Sequence, residues 1–328
     1  IARTALSAGA SALAVARCSE ALTLRQAGMS APILVFGMAA PAEVDIAINE
    51  QISLTLHSFE SLSLYTSRAS ATGQKLRVHL KVDTGFGRLG VLPEEARELA
   101  LNAQQSGWIE IEGIYSHLAM ADEVPDHPLT IEQIRFFNDA VNALASIGIN
   151  PRWKHIANSA AAFAIPESRF NLVRVGTALL GMKPFYFQPL PAGIQRVISW
   201  KTQLAACKLL PAGWNIGYGQ SHILDTDTWV GVIPVGYGDG FRRALGNEVL
   251  LDGMRVPVIG RVCNDMSMLQ LPAYYSPGSE VILIGKQGDQ EINTDALIDR
   301  WHTTQADITT NISLRVPRVY RETKNPVG

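Results

Sequence analysis

Four strand-like runs of this sequence finish on side chains that can hold an anion or carry a proton. The run from Arg77 reads Arg77-Val-His-Leu-Lys81-Val-Asp83-Thr-Gly-Phe-Gly-Arg88, setting a lysine, a carboxylate and an arginine around a glycine-rich turn. Three others end at His117, His155 and Arg174. Singly, each fits a satisfied structural histidine or a paired arginine. Together they make a cationic rim suited to a phosphate or carboxylate. Asn158 and Ser159 stand just before a helical run at 160–164, and Gly176-Thr177 follow the next strand, so free backbone N–H groups are expected there for an anion. Ser159 reads equally as a helix N-cap. Tyr218 lies between two glycines in Ile216-Gly-Tyr218-Gly-Gln220, an unusual place for a packed aromatic, and reads as exposed or functional. The glycine-rich stretch 235–240 lacks the lysine of a phosphate loop and reads as turn chemistry, with Arg242-Arg243 solvated beyond it. The sequence carries no HExxH, GxSxG or Cys/His metal spacing, which removes zinc and serine hydrolases and leaves no metal site expected.

Holding such a rim takes a rigid scaffold. Apolar, β-prone runs at 11–16, 32–37, 52–57, 77–82, 109–117, 153–157 and 171–176 alternate with helical patterns such as 19–27, 93–105 and 130–147. Near-continuous apolar strands between helices mean a parallel sheet covered by helices, and polar strand ends then line a site at the C-terminal rim of a barrel. A doubly wound open sheet is the rival; no glycine-rich dinucleotide turn follows an early strand, which favours the barrel. A (β/α)8 barrel needs eight units and the pattern supplies seven, while the chain opens on Ile1-Ala-Arg-Thr-Ala-Leu, which reads as mid-helix. The first strand is therefore expected upstream of Ile1. Beyond about residue 191 the runs at 229–235, 249–251, 256–262 and 280–284 alternate without long helices, with Asp252-Gly253 as a hairpin turn and one short helix at 295–301. The expected fold class is α/β plus β: a barrel over 1–192 and a mostly β domain over 193–328.

Composition bounds the function. With 47% hydrophobic and 18% charged residues among 328, the chain can bury two cores and is not disordered. The balance of 28 Lys+Arg against 30 Asp+Glu, without a block of like charge, disfavours nucleic acid as a partner. No apolar run approaches the ~18 residues of a membrane span. Cys18, Cys207 and Cys263 lie far apart, which fits a reducing, cytoplasmic compartment better than a disulfide framework.

The motifs HLKVDTGFGRLGV (79–91), GIYSHLAMADE (113–123), HIANSAA (155–161), NLVRVGTALLG (171–181), IPVGYGDGFRR (233–243), VIGRVCND (258–265) and RVPRVY (315–320) span the chain, and with them it resembles the alanine racemases of PLP fold type III. That resemblance implies a pyridoxal 5'-phosphate-binding barrel followed by a β domain. It implies a homodimer whose active sites are shared between subunits, an amino-acid substrate, and D-alanine made for bacterial cell walls. Residue by residue, it implies that Arg174 faces the cofactor ring nitrogen, that Ser159, Gly176 and Thr177 hold its phosphate beside Asn158, and that His155 and His117 orient Arg174 and the catalytic Tyr218. Arg88 would meet the substrate carboxylate, with Lys81, carbamylated in many members, holding it. Tyr237, Asp122, Arg243 and Arg261 fall on the substrate access path. An arginine at the ring nitrogen gives up no proton readily, so the ring is a weaker electron sink than one protonated by a carboxylate, and more falls on the two bases, Tyr218 and the cofactor lysine.

Three departures shape the expectations. The family's cofactor lysine lies in a Lys-Ala-x-Ala-Tyr-Gly-His stretch that this sequence lacks, and Lys81 matches the carbamylated lysine instead. Asn264 stands where alanine racemases usually have Met, at the substrate carboxylate, and Leu314 replaces a common Tyr near Asn311. Serine, or a broader set of amino acids, is therefore expected as an alternative substrate to alanine. A fold-type III decarboxylase is a further alternative, disfavoured by Tyr218 within IGYG and by RVCND.

Overall fold

Strands and helices alternate through the first part of the chain because short runs buried on both faces alternate with longer runs apolar on one side only. The computed structural model describes residues 1–321, and these divide into two units, Ile1–Leu179 with Pro184–Leu190, and Leu180–Lys183 with 191–321. In the first unit six parallel strands, β1 (Leu13–Val15), β2 (Ile33–Val35), β3 (Ser53–Leu56), β4 (Leu76–Lys81), β5 (Ile109–Tyr115) and β6 (Trp153–His155), pair in sequence order. They curl into a half-barrel. Helices α2 (Cys18–Gln26), α3 (Pro41–Asn49), α4 (Phe59–Thr72), α5 (Ala96–Gln105) and α6 (Pro128–Ala145) connect successive strands, with α1 (Ala2–Ser7) before β1 and α7 (Ser159–Ala164) after β6. Sequential parallel pairing with helical crossovers is what the alternating pattern demands. Leu54, Leu56, Val78 and Leu80 are fully buried between strands and helices.

Two expectations are corrected here. The run 171–176 forms no strand: the Arg174 N–H donates to the Ala157 carbonyl at 3.1 Å, but no ladder develops from it among the described residues. The helix expected from Pro93 begins at Ala96, because the Glu95 carboxylate accepts from the Leu92 N–H at 2.9 Å and closes a turn first.

One irregularity matters for the site. Between β4 and β5, Val78 pairs with Ile111 but His79 pairs with Gly113, so Glu112 is an extra residue in β5. A bulge of this kind re-aims one side chain and is rare between parallel strands. A Cβ on Gly113 would lie 2.3 Å from His79 Nδ1, so glycine is what lets the His79 ring pack against β5.

The second unit is antiparallel. Strands β7 (Trp200–Gln203), β8 (Ala206–Leu210), β9 (Thr228–Ile233), β10 (Glu248–Leu251), β11 (Met254–Ile259), β12 (Ser267–Leu271), β13 (Glu280–Gln287) and β14 (Gln290–Ile292) form a sheet of order β14-β13-β10-β11-β12-β9-β8, with β7 on β13. Asp252 and Gly253 join β10 to β11 with φ of 51° and 73°, the positive pair a two-residue hairpin turn needs. Instead of one short helix there are two, α8 (Thr294–Trp301) and α9 (Gln305–Thr310), the second capped by the Thr304 hydroxyl, which accepts from the Asp307 N–H. Phe241 packs edge-to-face on Trp200 and Trp301 in the core of this unit. Arg242, expected in solvent, instead pairs with Asp307 and donates to the Trp301 carbonyl, which pins α8 and α9 together; Arg243 is the exposed one of the two.

Candidate active site

A cavity of about 450 Å³ in the first unit runs along its strands, lined at their N-terminal ends by Leu13, Ile33, Ser53 and Trp153 and beyond their C-terminal ends by Phe36 and His117. His117 and His155 reach it from the ends of β5 and β6, and Asn158, Ser159, Arg174, Gly176 and Thr177 from the segments that follow; Asp122 lines its side. Of the sequence-predicted residues of this unit, these eight line one cavity, whereas Lys81 and Arg88 do not.

Arg174 is the hub. Its Nη1 lies 2.9 Å from His155 Nδ1 and donates to the His155 carbonyl, while Nη2 lies 3.1 Å from His117 Nδ1 and donates to the carbonyls of Ser116 and Ile156 at 2.8 and 3.1 Å. Among the described residues no hydrogen bond uses its Nε. Burial lowers the guanidinium to about 10, so it stays protonated at neutral pH. A guanidinium only donates, so both histidines must accept through Nδ1 and are neutral imidazoles with the proton on Nε2. Burial, reinforced by the Arg174 charge, holds His117 near 3 and His155 well below the usual histidine range, which agrees with that protonation. Tyr115 stacks flat on His155 with ring centres 5.0 Å apart, and its hydroxyl, pushed by burial to about 12, shares a 2.8 Å hydrogen bond with Thr55.

At another point of the cavity the Ser159 hydroxyl accepts from the Gly176 N–H at 3.0 Å and the Ala178 N–H at 3.4 Å. The N-cap reading of Ser159 is corrected: Asn158 caps α7 by accepting from the Ala161 N–H, which leaves Ser159 as the first helical residue, tied to the 176–178 loop. The Ser159 hydroxyl thus ties α7 to the 176–178 loop, and Thr177 lines the cavity beside it.

Lys81 and Arg88 lie apart from the cavity lining. Lys81 is buried at the end of β4, donates to the Val82 carbonyl at 2.8 Å, and is brought down to about 7 by burial. Arg88 is exposed and sits over the Phe86 ring, which meets His117 edge-on. Asp83 holds the turn between them: its two carboxylate oxygens accept from the N–H groups of Gly85, Phe86, Gly87 and Arg88 at 2.8–3.1 Å. Gly85 and Gly87, at φ of 119° and 73°, let the backbone wrap that carboxylate.

In the second unit Tyr218 is 71% exposed on a short turn, and the Arg261 guanidinium packs over the neighbouring Gly219. Tyr237 is half exposed with Arg243 over its ring. Asn264 is exposed; its amide donates to the Asp265 carboxylate at 2.7 Å, and Arg315 bridges Asp265 and Asp239 at 2.7 Å each. His79, Glu112, Tyr115 and Ser116 are site residues that sequence reasoning missed. His79 had a signal, since Arg77, His79 and Lys81 alternate along β4; Glu112 had none, because it enters through the bulge.

The alanine racemase N-terminal domain model matches residues 1–184 and the alanine racemase C-terminal domain model matches 197–320. An alanine racemase of Geobacillus stearothermophilus is 39% identical over 340 residues, covering 100% of this chain and 86% of the relative. The crystal structure of alanine racemase from Bacillus anthracis with bound L-Ala-P superposes with a TM-score of 0.93 at 35% identity, covering 100% of this chain and 85% of that one. A histidine racemase from Leuconostoc mesenteroides subsp. sake superposes with a TM-score of 0.89 at 27% identity, covering 97% and 86%.

Proposed function

This chain belongs to the alanine racemase family, and from that premise we propose that it is a pyridoxal phosphate-dependent racemase interconverting L- and D-alanine. The observation that carries the reading is Arg174, locked by two neutral histidines and, among the described residues, with its Nε in no hydrogen bond, in the cavity that Ser159 also lines.

The residues present fit the polar ends of pyridoxal phosphate: Arg174 would donate to the ring nitrogen, and Ser159 with the Gly176 and Thr177 backbone would hold the phosphate beside Asn158. No lysine lines the cavity among the described residues. When bound, the cofactor supplies an electron sink that acidifies the substrate Cα–H. Arg174, a permanent donor, withholds its proton from the ring nitrogen and so limits how much charge the ring accepts. His117, neutral with its proton on Nε2, can donate to a phenolate and orient it. Tyr218 Oη is the group we assign to remove or return the Cα proton on one face, and its exposure leaves the hydroxyl accessible to a second molecule. The assembly proposed is a homodimer in which a second copy supplies Tyr218. Arg88 would meet the substrate carboxylate on the turn Asp83 holds. Lys81, neutral for part of the time near pH 7, is in the form that reacts with CO₂ to give a carbamate beside Arg88. Tyr237, Asp122, Arg243 and Arg261 would flank substrate access. Three free thiols support a cytoplasmic setting, and among the described residues no helix is long and apolar enough to cross a membrane. D-alanine for cell-wall synthesis is the product role that follows.

Tyr218→Phe is expected to cut racemisation by about 10²–10⁴-fold, the usual worth of a positioned acid/base group, while binding of pyridoxal phosphate, read by its absorbance, is retained. Wild-type turnover in that variant would remove Tyr218 from the mechanism. A second reading, racemisation of serine or a broader set, is favoured by Asn264: Asp265 takes its amide N–H, which leaves the carbonyl oxygen to accept from a substrate hydroxyl.

A further inference from the structure

The donors and acceptors behind Arg174 can be followed through two further residues. His155 accepts from Arg174 at Nδ1, so its single proton is on Nε2 and must be donated to His79 Nδ1, 2.8 Å away. His79 Nδ1 is then an acceptor, and its own proton is on Nε2, facing the Glu112 carboxylate at 3.8 Å. Glu112 also accepts from the Ser53 hydroxyl at 2.7 Å. Each assignment follows from the one before it, because Arg174 can only donate. A His79 imidazolium would point an N–H at the N–H of His155, so His79 is neutral as well.

Nothing about this arrangement comes free of cost to the strands. Glu112 is the extra residue of the β4/β5 bulge, and Gly113 beside it is the residue whose lack of Cβ admits the His79 ring. His79 is 5% and His155 0% exposed, so neither imidazole has bulk water as an alternative partner. A distortion of β5 and a buried histidine pair are both arranged to place one carboxylate at the far end of the line.

We propose that Glu112 and His79 are positioning residues for Arg174: the carboxylate fixes the His79 tautomer, His79 fixes that of His155, and the His155 lone pair is thereby held on the guanidinium. The line polarises toward Arg174 and keeps it a donor in a fixed plane at the cavity. Were His79 to carry its proton on Nδ1, His155 would have to carry its own on Nδ1 to pair with it, and would then present an N–H to Arg174. This inference rests on the reading of Arg174 as the ring-nitrogen donor, but its geometry does not depend on turnover.

The test is nitrogen NMR of the imidazole and guanidinium groups in the whole protein, with and without pyridoxal phosphate, in wild type and in Glu112→Gln, which removes the charge at constant size. The expected wild-type result is Nε2–H for both His79 and His155 across neutral pH. In the variant the Nδ1–H form of His79 becomes populated, and exchange of the Arg174 Nη1 protons quickens about tenfold. Wild-type His79 that is doubly protonated, or His155 protonated on Nδ1, would overturn the proposal. So would a folded variant whose His79, His155 and Arg174 nitrogens are unmoved, the result a merely structural Glu112 gives. Should that variant not fold, Glu112→Asp, which keeps the charge but draws it away from His79, takes its place: a shift of the His79 nitrogens is expected there too, and unmoved nitrogens would overturn the proposal. Because tautomers are read without catalysis, a protein with the expected tautomers and no racemase activity would sink the proposed function and leave this inference standing.

Discussion

At the scale of single residues, the site is built from groups held in their uncharged or fixed forms by what surrounds them. His117 and His155 are neutral because they are buried against a guanidinium, and Glu112 is held down to about 2 by the N–H of His79 and the hydroxyl of Ser53 against an opposing effect of burial. These shifts dictate how stability depends on pH. Below about 6.5 the histidines of the unfolded chain bind protons that the native His117 and His155 refuse, so stability falls as pH drops toward 3. Glu112 works in a lower window: its contribution is complete above 4.5 and is lost as pH falls toward 2. Urea midpoints of wild type and Glu112→Gln should therefore keep a constant separation at higher pH and converge below about 4.5. Parallel curves through that window would mean the carboxylate is not held by His79 and Ser53.

At the scale of elements, strand ends carry the chemistry and two local devices aim it. One is the Asp83 turn, which wraps four backbone N–H groups around a carboxylate and sets Arg88 at its end. The other is the β4/β5 bulge. Gly113→Ala would push a methyl group into the His79 ring, and overpacking of this kind costs about 1–3 kcal/mol. We expect Gly113→Ala to lower the denaturant midpoint accordingly and to break the 2.8 Å His79–His155 bond, seen as a change in both imidazole nitrogen spectra. A variant as stable as wild type with both spectra unchanged would show that β5 has room the geometry denies. Much of this level was legible beforehand. The rim residues Arg174, His155 and His117 were visible as polar ends of apolar runs, and Asp252-Gly253 named its own hairpin. The run 171–176 was misread as a strand because an extended apolar segment has the same pattern whether or not a neighbour pairs with it. Glu112 was invisible, since a one-residue register shift between parallel strands leaves no periodic trace. Arg242 was taken for a solvated residue because its partner Asp307 is distant in sequence, on a helix the pattern did not announce.

At the scale of the whole molecule, the division of labour follows from the two units. The first holds the cavity and the residues suited to an anionic, aromatic cofactor; the second presents Tyr218, Asn264 and Tyr237 on turns supported by its own core. Composition had already excluded a disordered chain and argued against a nucleic-acid binder, but substrate choice rests on a few exposed side chains such as Asn264 that no global property encodes. Substrate is also where members of this fold diverge, as the histidine racemase of Leuconostoc mesenteroides subsp. sake illustrates. The most direct measurement is chiral chromatography of L-alanine, L-serine and L-lysine after incubation in turn with the protein and pyridoxal phosphate, with CO₂ followed in parallel. D-alanine is expected to accumulate to an equal mixture with no CO₂, and D-serine as well if Asn264 accepts a hydroxyl; release of CO₂ without any D-enantiomer would contradict the proposed racemisation.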